Sequence, residues 1–141
     1  MKLKKEIILI IGIFVFIIVL ELVTNKITNE SIKNVEDKIK IVNVNLNKIK
    51  DMEKDNEEYE MCRKDLEENI QKLKKDWFLK EDKLSIFSEH DELEKVSKCL
   101  ITIEENVKNE EYEIALEDGS EFMYWLNHIK EKDKLELKNV F

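Results

Sequence analysis

Proline is absent from this 141-residue chain, and glycine occurs only twice, at Gly12 and Gly119. So little turn punctuation excludes a turn-rich fold and, in a chain dominated by Glu, Lys, Leu and Ile, points to long helices. Basic charge is also short: 24 Lys plus Arg stand against 32 Asp plus Glu. Nucleic acid and anionic lipid headgroups both demand a basic face, so neither is an expected partner. Reaction chemistry has nothing to stand on. There is no Gly-rich phosphate loop, no CxxC or HExxH motif, and no Ser beside a His with an orienting acid. The chain is read as a non-enzyme with no catalytic residue and no cofactor.

What is present begins with Ile7 to Leu20, an apolar run led in by Lys2, Lys4 and Lys5. Carried on to Val23 it makes a helix about 26 Å long, enough to cross a bilayer if the flanking Lys and Glu heads reach water. A cleaved secretory signal and a buried globular helix share this pattern. The lack of a small-x-small sequence after Leu20 favours an uncleaved anchor. Three lysines precede the run and only Lys26 follows closely, so the positive-inside bias keeps the N-terminus in the cytoplasm. Residues 1–24 are therefore read as a single-pass anchor in the cell membrane, and residues 25–141 as one extracytoplasmic helical domain.

Within that domain Ile32, Val35, Ile39, Val42, Leu46 and Ile49 recur at spacings of 3 and 4, which predicts a coiled-coil-like helix over about 25–53 that continues the anchor as a stalk. Alternation of Val42, Val44 and Leu46 with asparagines would also suit a strand, but the flanking heptads favour helix. Asn56 caps a second helix over about 57–86, with Tyr59, Cys62, Leu66, Ile70, Leu73 and Trp77 on its apolar face. Ser88, three residues before Asp91, resembles a capping box for a third helix over about 89–108. Asn109 closes that helix and caps a fourth over about 110–131, in which Gly119 permits close helix approach. The tail, about 132–141, alternates apolar and polar residues and is expected to be extended.

One internal repeat organises these elements. Asn56-Glu57-Glu58-Tyr59-Glu60-Met61-Cys62 returns as Asn109-Glu110-Glu111-Tyr112-Glu113-Ile114-Ala115. Asn at the cap, acids on the helix dipole, Tyr packing back and a small residue at the closest approach describe a tight helix-to-helix turn. Such a turn resembles that of tetratricopeptide hairpins, although the 53-residue spacing here differs from theirs. The expected fold is all-α: a transmembrane helix followed by two antiparallel hairpins packed as a four-helix bundle.

Candidate sites are few. Cys62 and Cys99 fall at heights about 20 Å apart along the second and third helices, too far for a disulfide. His90 and His128 each lie nineteen residues from the turn at Asn109, so an antiparallel hairpin brings them to one height. With Asp91, Glu94 and Glu131 nearby they are candidates for a metal or pH-sensing pair, against a structural alternative in which both serve helix ends. Trp77, Tyr124 and Trp125 read as core or interface aromatics.

Ser85-Ile86-Phe87 running into His90-Asp91-Glu92-Leu93, His128-Ile129, and the closing Leu135-Glu136-Leu137-Lys138-Asn139-Val140-Phe141 resemble the uncharacterised bacterial family called domain of unknown function (DUF) 4363. Trp77 ahead of the Phe and His motif fits the same pattern. Lys130 stands where the pattern places Pro, which bears on the shape of the last turn. The resemblance implies an anchored helical domain of spore-forming, low-GC bacteria with no assigned activity.

Together these features predict a membrane-anchored module that associates with another membrane or envelope protein. The alternatives are an envelope metal or pH sensor using His90 and His128, and self-association through the first heptad stripe. The membrane-proximal end, with the histidines and the apolar tail, is the expected place for a partner. Protease treatment of intact cells carrying a C-terminal tag checks the orientation: the tag is expected to be digested, and a fully protected tag reverses the topology.

Overall fold

The computed structural model describes the backbone of residues 2–86 and 88–140 and the side-chain surroundings of residues 5–86 and 88–132. It contains four helices: α1 Lys2–Ile49, α2 Glu57–Leu84, α3 His90–Lys108 and α4 Tyr112–Val140. The described residues form no strand, and the Val-Asn alternation of 42–47 is helical.

α1 serves two environments. Residues 5–23 are not buried by the rest of the chain, whereas Thr28, Ile32, Val35, Ile39, Val42, Leu46 and Ile49 are buried at alternating spacings of 4 and 3. That seam faces the other helices of the same chain. The stripe expected to support self-association is therefore consumed by the chain's own core, because each of its six apolar residues is at most 1% exposed.

α1 packs against α2 and α4, and α3 completes the ring by packing closely on α4 and less extensively on α2. Side chains span the two diagonal helices: Trp77 of α2 meets Phe122 of α4 edge-on at 6.1 Å, and Tyr59 of α2 meets Tyr112 of α4 at 6.5 Å. Trp77 is fully buried and donates to Ser97 Oγ, 2.7 Å away, which donates in turn to Glu81 Oε1. A large ring is thus seated in the core while its one polar atom is satisfied.

The two copies of the repeat build different turns. Asn56 is the N-cap of α2, its side chain accepting from the Tyr59 amide at 2.7 Å. Asn109 instead ends α3, and α4 starts only at Tyr112. The Glu110 amide donates to Val107 O and the Glu111 amide to Asn106 O, a Schellman ending with Glu110 at φ 62° in the position that favours Gly. The Glu110 carboxylate is held by Lys54 at 2.5 Å and Arg63 at 3.0 Å, which ties this strained turn to the α1–α2 connection and to α2. Asn109 therefore does not cap α4, because the chain needs the left-handed residue that follows it to reverse direction.

Three other expectations are corrected. Ser88 does not cap α3: the N-cap is Glu89, without a side-chain cap bond, and the buried Ser88 Oγ has no partner among the described residues. The tail is not extended, since α4 runs on to Val140. No Gly or Pro follows Gly119 to end it, and Lys130, unlike Pro, keeps its amide in the helix and pairs with Glu36 at 3.4 Å. The last turn that Lys130 bears on is thus absent. Gly119 has a specific purpose: a Cβ there would overlap Asn43 Oδ1 of α1 and sit 3.1 Å from Asn43 Cγ.

Tyr59 and Tyr112, the repeat tyrosines, share a hydrogen bond of 2.7 Å between buried hydroxyls. Removing either hydroxyl leaves the other buried and unpaired, so Y59F and Y112F are each expected to cost about 1–2 kcal/mol. The double variant is expected to cost less than the sum of the two, and urea unfolding of all four proteins measures the coupling.

Candidate functional site

The half of the α3–α4 pair around the start of α3 gathers a cluster of charged and aromatic side chains. Glu92 sits in the first turn of α3, where the helix dipole favours an acid. It also falls on the buried stripe that continues through Val96, Cys99 and Ile103, and is only 6% exposed. Antiparallel packing brings α4 to it: His128 Nε2 lies 3.2 Å and Lys132 Nζ 3.1 Å from Glu92 Oε1. Lys132 also reaches Glu89 at 2.6 Å and holds that exposed carboxyl below its ordinary range.

The expected histidine pair is not assembled. His90 and Asp91 are exposed, and His128 pairs with Glu92 instead. Height along the hairpin is only half the geometry. Residues two apart on a helix point about 200° apart, so a helix that turns Glu92 toward α4 turns His90 away. Among the described residues no three His, Cys, Asp or Glu side chains converge as a metal site.

Around His128 lies an aromatic cluster. Tyr124 stacks on it at 6.2 Å and 18°, and Trp125 meets it edge-on at 5.7 Å. Lys95 of α3 sits 4.0 Å over the Trp125 ring, a cation–π contact across the helix pair, and Trp125 Nε1 donates to Glu121 at 3.2 Å. Tyr124 is 60% exposed, whereas Trp125 is half-buried against the core, so the cluster joins the core to a solvent-facing tyrosine.

A groove of about 540 Å³ lies elsewhere, between α2 and α3, with Ile70 and Val107 among its lining residues. Glu104 on its edge accepts from Lys74 at 2.5 Å, Lys108 at 3.0 Å and Gln71 at 3.0 Å. The two cysteines are free and buried, and burial pushes the Cys62 thiol up and the Cys99 thiol up to about 11, which disfavours thiolate chemistry at both.

Sequence reasoning missed Glu92 and Lys132. The signal was an acid at a core position of the α3 stripe, which calls for partners from a facing helix.

Hydrogen bonds from Lys74, then Lys108, bring the Glu104 carboxyl from 4.5 down to about 2. A lowered folded-state value stabilises the fold above the unfolded-state value and loses that contribution as pH falls through the folded one. E104Q is expected to be about 1–2 kcal/mol less stable than the native chain at neutral pH. That gap closes between pH 4.5 and about 2, as measured by denaturant unfolding across that range.

No curated protein and no solved structure matches the chain. A family model does match residues 22–140, from just past the Ile7–Leu20 run through the whole helical body. The chain belongs to that family, described as Domain of unknown function (DUF4363).

Proposed function

We propose that this protein is a non-enzymatic, membrane-anchored interaction module of the bacterial envelope. α1 crosses the cell membrane once, with the N-terminal lysines in the cytoplasm and an antiparallel four-helix bundle outside. The observation that carries the reading is the division of α1 into an apolar half that the chain leaves uncovered and a half that forms core. An apolar surface that the protein does not cover calls for another medium, and lipid is the one its length suits.

The partner is another membrane or envelope protein, and the α3–α4 face is where it binds. Tyr and Trp lose little side-chain entropy on docking and offer large amphipathic surfaces, so exposed Tyr124 beside half-buried Trp125 and Lys95 suits a binding hot spot. A photo-crosslinking amino acid at Tyr124 is expected to capture one defined protein in native membranes, and the same group at exposed Glu58 is not. Equal background capture at both positions rejects this face. Y124A together with W125A is expected to lose the partner on co-purification while keeping the helical circular-dichroism signal.

A pH-sensing role is the second reading, supported by the His128–Glu92 contact. Protonating His128 turns that contact into an ion pair with a buried carboxylate, which links charge on α4 to the start of α3. His90 has no part in it.

A further inference from the structure

We infer that the base of the helical body rests on the headgroup layer of the bilayer, with Ile86 in the α2–α3 turn as a second lipid contact beside the anchor. This rests on the proposed crossing by α1.

The α2–α3 turn and the end of α4 lie in one plane. Lys38 of α1 pairs with Asp76 of α2, and counting ten residues onward along the antiparallel pair sets Ile86 level with about Thr28. Lys130 of α4 pairs with Glu36 of α1, and the same count sets the α4 terminus at Val140 level with about Lys26. α1 itself passes through that plane without interruption. From Val23, the last apolar residue of the anchor, to Thr28 is about 7.5 Å of helix rise. The headgroup layer on each side of a bilayer is about 5–7 Å thick. The base is thus flush with the outer edge of that layer.

Rigidity keeps it there. No Gly or Pro interrupts α1 after Gly12 and the helix runs unbroken into the body, so the base cannot lift without bending it. Exposure supplies the second line of argument. Ile86 is 74% exposed, more than any other exposed large apolar side chain described, those of the anchor included. A bilayer interface next to an anchored base would give this isoleucine at the turn tip an apolar surrounding. Around the turn Glu81, Asp82 and Glu89 outnumber Lys83, so the surface it suits is a neutral, zwitterionic one rather than an anionic one.

The test uses the full chain in phosphatidylcholine vesicles, with a fluorescent amino acid placed in turn at Phe16, Ile86 and Glu58, and nitroxide-bearing lipids as quenchers. Quenching at 16 by acyl-chain nitroxide reports the crossing. Quenching at 86 by headgroup nitroxide, with none at 58, is the expected result. A label at exposed Lys83, which leaves Ile86 native, is expected to be quenched too, and to lose that quenching in I86E with helicity unchanged. Quenching at 16 with none at 86 or 83 overturns the inference while sparing the anchor. No quenching at 16 overturns the anchor reading itself.

Discussion

Everything in this molecule hangs on the seam of α1 from Thr28 to Ile49. Seven positions spaced 4 and 3 turn one stripe of a long helix inward, and α2 and α4 pack on its two sides. Among the described residues α3 has no packed backbone contact with α1, so its place is set indirectly, through α4 and more loosely through α2. Because the same helix carries the uncovered apolar half, the orientation of the helical body relative to the N-terminal segment follows from helix continuity rather than from any further contact.

The far end of the body is closed by polar linkages between connections. Tyr59 and Tyr112 bridge the diagonal helices, and Glu110 joins the α3–α4 turn to Lys54 and Arg63. The near end is built differently, with Glu92, His128 and Lys132 joining α3 to α4. Buried or half-buried charges of this kind contribute little net stability but penalise misregistered packing, since a one-turn slip would leave Glu92 buried without a partner. Asn43 against Gly119 sets the α1–α4 register in the same way, by shape.

Apolar periodicity made the four helices legible: Tyr59 to Trp77 and Leu93 to Val107 are buried where the 3 and 4 spacing puts them. Termini were harder to read. Ser88 looked like a cap and Asn109 like a second Asn56, yet short polar side chains near a helix end can serve as N-cap, C-cap or neither. Which of these applies depends on how the chain must turn to bring the next helix into contact. The tail misled for a related reason, since alternating residues beyond Lys132 cannot outweigh an uninterrupted helix that runs on to Val140, Phe141 lying outside the described residues.

By itself the sequence determined the all-helical class, the apolar lead, the core stripe of each helix and the significance of Gly119. These depend on periodicity and composition, which act locally along one chain. The tertiary structure alone decided that His128 meets Glu92 and not His90, that the repeat tyrosines face each other across the bundle's diagonal, and that the first heptad seam is spent within one molecule. Each of these depends on the rotation of one helix against another. A linear sequence encodes the height of a residue directly, but its azimuth toward a partner only once the partner is in place.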